Sequence, residues 1–187
     1  MAPPVLQCVI EELQDWHPRL FLEPHIVACV AVLSQYSDSP AIVNIDCHDI
    51  ESERLEGASE LRLELSWSSE TLEKANRLRA TIQRNPLLEM GSCALGFLLV
   101  HQLLRADQLD VTQYGNRADY RFLDAQCVLE ISGTEQGSEL ERRHREKVIQ
   151  ALANPLRWDA FVVVCAFSPD EHRIRFSFHR HEDSSHE

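Results

Sequence analysis

Three carboxylates and one ammonium stand out in this 187-residue chain. Glu130 lies in an apolar run, Cys127-Val128-Leu129-Glu130-Ile131, where an unpaired carboxylate costs several kcal/mol unless something compensates its charge. Two partners do this: an arginine at a strand edge, or a hard cation. Mg²⁺ or Mn²⁺ is held by one or two carboxylates with carbonyls, waters and substrate phosphates. Asp119, Glu130 and the carbonyl of Ile131 form such a set. A cation there polarises a phosphodiester and activates water. Strand alternation puts Val128, Glu130 and Ser132 on one face and Leu129 with Ile131 on the other. Lysine is scarce: Lys74 and Lys147 stand against sixteen arginines. Arg143, Lys147, Gln150 and Asn154 recur at helical spacing and form one stripe, with Leu140, Val148, Ala151 and Leu152 opposite. The basic cluster Arg142, Arg143, Arg145 and Lys147 is either a solvated helix face or a contact for phosphate.

The elements that position these residues follow from hydrophobic periodicity. Residues 4–16 read as a short helix. Residues 25–33 are a buried strand or short helix. Residues 41–47 and the alternating 61–67 read as strands. Residues 70–84 have helical spacing, stopped by Asn85-Pro86. A second, largely apolar helix runs from about 86 to 104, with Glu89 in its first turn. Strands are expected over 111–115, 118–123 and 126–132, with a loop from Gly133 to Gly137. Ser138 and Glu141 form a capping box for a helix ending near Asn154-Pro155. Strands follow over 160–167 and 173–179.

In this order the residues resemble the PD-(D/E)XK nuclease superfamily, whose fold is that of the restriction endonucleases. Its pattern is an acid on a first helix, Asp at a strand start, (D/E)-x-K in the next strand and a helix behind. Glu89, Asp119 in GNRADYRF and Glu130 in VLEISGT match it, and Gln150 matches the glutamine of the RecB-like branch. The resemblance covers roughly residues 86–167. It implies an α/β fold: a mixed sheet flanked by helices, with an N-terminal α+β extension at 1–69 and the core at 70–187. It implies metal-dependent hydrolysis of DNA, in restriction or anti-phage defence. Glu89, Asp119, Glu130, Lys147 and Gln150 would be catalytic; Asp119, Glu130 and Ile131 would hold Mg²⁺ or Mn²⁺; Arg143, Lys147 and Gln150 would bind substrate. Ser132 departs from the pattern, because lysine normally stands there. Three readings follow: Lys147 has migrated into its role, the site uses a substituted residue in place of that lysine, or the chain is an inactive subunit that binds nucleic acid or a protein partner.

Composition sets the remaining bounds. Apolar residues make up 44% and charged residues 26%, enough for a core. The net charge of −12 disfavours sequence-independent binding to phosphate backbones. The imbalance is greatest before residue 111, so any nucleic-acid contact falls to the later part. The six cysteines lack CxxC spacing and read as reduced core residues. His179 and His181 share a strand face without partners at ligand spacing. Apolar runs such as 93–100 are too short to span a membrane. The first residues lack the basic and apolar regions of a signal peptide, so a cytoplasmic location is expected. Homo-oligomerisation or a protein partner is compatible with these features.

Overall fold

The computed structural model describes residues 2–106, 108–112, 118–122 and 126–181. Eight strands form one mixed sheet in the order β1-β3-β2-β8-β7-β6-β5-β4. They are β1 (Val5–Val9), β2 (Ala41–His48), β3 (Glu60–Ser66), β4 (Leu109–Val111), β5 (Tyr120–Phe122), β6 (Cys127–Thr134), β7 (Asp159–Phe167) and β8 (His172–His179). The helices are α1 (Leu13–Trp16), α2 (Glu23–Leu33), α3 (Ser69–Thr81), α4 (Arg84–Leu104) and α5 (Leu140–Leu152). The chain is thus mixed α/β, with helices against both faces of the sheet. Residues 1–69 add β1, β2 and β3 to that same sheet, because β2 pairs in parallel with β8.

Burial explains this layering. Leu129 and Ile131 of β6 join the larger core with Val163, Phe176 and the apolar residues of α2 and α4. Val128 of β6 faces the other way, into a smaller core with Val162, Val164, Leu140 and Ala151 under α5. Both faces of β6 and β7 carry buried apolar side chains, each worth about 1.5–3 kcal/mol when fully buried, so α4 packs on one face and α5 on the other. The 21 residues of α4 have the length and apolar composition of a membrane span. Leu95, Phe97, Leu98 and Leu99 of that helix are buried in the core.

Several boundaries differ from the sequence reading. Residues 4–16 are not one helix: 5–9 form edge strand β1, whose alternating burial of Leu6 and Cys8 outweighs the helical spacing. Residues 25–33 resolve to helix α2, which is apolar almost throughout and enclosed by neighbours. Helix α3 ends at Thr81, and α4 starts at Arg84, ahead of Pro86. Proline is tolerated there because the first helical turn does not need its N–H. Glu89 consequently lies in the second turn of α4. Strand β6 continues through Gly133 to Thr134, beyond the expected loop start. The Ser138–Glu141 capping box does not form: Ser138 lies in a 3₁₀ turn, and Glu139 precedes α5 with no side-chain cap bond. Of the strand expected at 111–115, Val111 ends β4 and Thr112 follows outside any strand. Its residues 113–115 lie outside the described residues, as does residue 123 of the next expected strand.

Candidate functional site

The site begins where β5 stops following β6. Tyr120 pairs with Leu129, and the Asp119 N–H donates to the Leu129 carbonyl at 3.2 Å. Beyond that point Asp119 Oδ2 accepts the N–H of Ile131 at 2.9 Å. A side chain thus completes the ladder that the strand leaves. The N–H and C=O of one strand residue point to the same edge, so the Ile131 carbonyl also faces the Asp119 side of β6. Asp119 is an exposed residue, yet its carboxylate turns in against β6. Burial raises its pKa, while the Ile131 bond and the Lys147 charge work in the opposite direction.

Glu130 is fully buried. Strand alternation turns it toward α5, on the same face as Val128 and Ser132. Lys147 Nζ donates to Glu130 Oε1 at 2.5 Å and to Gln150 Oε1 at 3.2 Å. Glu130 Oε2 is enclosed and has no hydrogen-bond partner among the described residues. Burial pushes the Glu130 pKa up to about 7, with Asp119 and Glu89 adding to the rise and Lys147 opposing it. The structure therefore brings Glu130, Lys147 and Gln150 together. Lys147 leans onto the strand rather than out to solvent.

Glu89 reaches this neighbourhood from α4, on the opposite face of the sheet. It accepts the N–H of Gly133; burial raises its pKa, and the charges of Lys147 and Arg143 lower it. The approach depends on Gly133. A Cβ there would sit 2.5 Å from Ser92 Oγ and 2.8 Å from the Leu88 carbonyl oxygen, so only glycine lets β6 pass this close to α4. On the α5 side, Arg143 Nη1 lies 3.5 Å from Ser132 Oγ, and its Nε is enclosed without a partner among the described residues. Glu89, Gly133, Thr134, Glu139 and Arg143 line a polar cleft of about 260 Å³. A larger cavity, about 1340 Å³, opens elsewhere, around Cys47, Phe161, Phe178 and His179. None of the expected site residues lines it.

Of the four residues of the expected stripe, Arg143 and Lys147 reach β6 and Gln150 bonds Lys147. Asn154 instead closes the end of α5. It is buried and bonds the Ala151 carbonyl at 2.7 Å, the Trp158 carbonyl at 3.0 Å and the Trp158 N–H at 3.1 Å. In the expected pair, His179 bonds Ser177 Oγ at 2.8 Å and the His181 N–H bonds Asp159 Oδ1 at 2.8 Å. The sequence did not signal Tyr120, whose hydroxyl lies 3.8 Å from Cys93 Sγ beside the carboxylates. An isolated aromatic in a short strand carries no motif.

Two carboxylates and a carbonyl suit a hard cation, and the partnerless Oε2 of Glu130 is the atom such a cation would satisfy. Among the described residues, however, no three His, Cys, Asp or Glu side chains gather as a ready-made metal cluster. A cation here would take the Ile131 carbonyl, water or substrate oxygens to fill its shell. Compared with protein-family models, curated proteins and solved structures, the chain matches none of them.

Proposed function

We propose that the chain is a metal-dependent nuclease of the PD-(D/E)XK type that hydrolyses phosphodiester bonds in DNA. One observation carries this reading: a fully buried glutamate holds a lysine with one oxygen, while its other oxygen is enclosed and has no partner among the described residues. The order helix, three strands, helix, strand from α4 to β7 supports the same resemblance. Asp119, Glu130 Oε2 and the Ile131 carbonyl would hold Mg²⁺ or Mn²⁺. A cation bound there supplies charge for the phosphodiester oxygens and acidifies bound water.

The chain's own residues take defined parts. Lys147 keeps the Glu130 carboxylate fixed and adds positive charge where negative charge develops. Gln150 holds the ammonium from its far side. Arg143, planar and permanently charged, is suited to phosphate oxygens. Glu89 ties α4 to the end of β6. The role in restriction or anti-phage defence rests on the resemblance alone.

A second reading is an inactive nuclease-like subunit that binds nucleic acid or a protein partner. Ser132 in place of lysine, and the acidic balance of the residues before 111, favour it. The two readings separate in one experiment. Circular, linear and single-stranded DNA are incubated with the protein and Mg²⁺ or Mn²⁺, with Asp119→Ala and Glu130→Ala in parallel. Metal-dependent cleavage that disappears in both variants supports the nuclease. No cleavage, and no rise in melting temperature with either metal, supports the inactive subunit, since a ligand that does not bind cannot stabilise.

A further inference from the structure

We infer that the free edge of β1 pairs antiparallel with the same edge of a second copy, joining two eight-stranded sheets across a two-fold axis centred on Gln7. This inference does not depend on the nuclease reading.

Strand β1 lies at one end of the sheet and, among the described residues, pairs only with β3, in parallel. The Arg62 N–H donates to the Pro4 carbonyl at 2.9 Å. With the register Val5↔Arg62 to Val9↔Ser66, that bond fixes the parity of the strand. Leu6 and Cys8 direct their backbone groups to β3, while Val5, Gln7 and Val9 direct theirs to the open side. An antiparallel copy centred on Gln7 places Gln7 opposite Gln7 and Val5 opposite Val9. All three outward N–H groups then meet carbonyls in one register.

The side chains agree with that register. Val5 and Val9 are 54% and 41% exposed. The pairing sets each against the other's copy on one face, and sets Leu6 against Cys8 on the other. Directly opposed side chains on one face of an antiparallel pair lie close enough to pack against each other. A shift by one residue would bring Val5 and Val9 to the wrong face, so the self-complementary register is also the selected one.

Natural edge strands are commonly blunted by charge, by proline or bulges within the strand, or by a covering element. VLQCV has no charged residue and no proline, and its ladder with β3 is unbroken. In a chain of net charge −12, an uncharged edge is where two copies meet with least repulsion. A five-residue pairing is small beside the roughly 1,200–2,000 Å² of a stable interface. The dimer should therefore be concentration-dependent, and it should tighten with salt as the repulsion between acidic bodies is screened.

Sedimentation velocity from about 1 to 200 μM, at low and high salt, tests this. The expected wild type shifts from monomer to dimer with concentration, more readily at high salt. Gln7→Pro removes an outward N–H while leaving the β3 ladder intact, and should stay monomeric with an unchanged circular dichroism spectrum. Should that variant fail to fold, Val5→Glu/Val9→Glu gives the same readout. It sets like charges opposite each other and should also stay monomeric. Mixing it with Val5→Lys/Val9→Lys should restore a dimer containing one of each. A wild type that remains monomeric throughout overturns the inference and leaves the edge to a strand of another protein. A dimer that survives the paired charge substitutions, or a mixture that fails to re-associate, overturns it equally.

Discussion

Replacing Glu130 by Gln should stabilise the metal-free protein at alkaline pH, even though it removes an ion pair. Burial raises the Glu130 pKa from an ordinary 4.5 to about 7. A carboxyl with a raised folded pKa contributes stability that is fully present below the unfolded pKa and is lost as pH rises through the folded one. At about 1.4 kcal/mol per pKa unit, ionising Glu130 in place costs the fold about 3 kcal/mol by pH 8. Glutamine has the same shape and does not ionise. That figure already includes the Lys147 contact, whose charge and hydrogen bond lower the Glu130 pKa. The net gain is therefore about 3 kcal/mol at pH 8, or about 6–12 °C in melting temperature for a chain this long. Near pH 4.5 the gain vanishes, because both side chains are then neutral. Thermal melts in EDTA from pH 4.5 to 8.5 measure the difference. A variant less stable than wild type at pH 8, or a difference that does not change with pH, would refute the reasoning.

Lys147→Met should behave oppositely. It strands the buried carboxylate and lowers stability at pH 8 more than at pH 5, since protonation relieves the unpaired charge; urea melts at the two pH values read this. Gly133→Ala should lower stability by about 1–3 kcal/mol, because its Cβ meets the backbone carbonyl of Leu88. Gly137→Ala is the control, with its nearest neighbour at 3.7 Å. His144 is buried against Ser177 and near Arg175, His179 and His48, and its pKa is lowered from 6.5 to about 4. Stability should be full above pH 6.5 and fall toward pH 4 as the unfolded chain takes up the proton; His144→Asn should flatten that part of the profile. Asn154→Ala removes three bonds that close α5 and should cost about 2–3 kcal/mol in chemical denaturation.

The local level was legible wherever a pattern repeats. Alternation in 61–67 and the apolar runs of β6 and β7 marked strands, since period two is a property of the chain itself. The spacing of Arg143, Lys147 and Gln150 placed them on one face of α5 before any fold was known. Short segments were not legible. Val5, Val9 and Leu13 fit a helix as well as they fit a strand followed by a turn, and pairing with β3 decided the matter. Asn154 shared the spacing of the stripe, yet the chain reverses there and its amide closes the turn.

By itself, the sequence determined that Glu130 would be buried among apolar residues and that Lys147 would be the lysine nearest to it along the chain. Only the tertiary structure decided that the two meet, because the meeting requires α5 to cross the face of β6 that carries Val128, Glu130 and Ser132. It also decided that Asp119 satisfies the N–H of Ile131, and that Glu89 arrives from the opposite layer over Gly133. These contacts join residues far apart in the chain. They depend on how two helices pack against one strand, and hydrophobic periodicity fixes which face is buried without fixing what covers it.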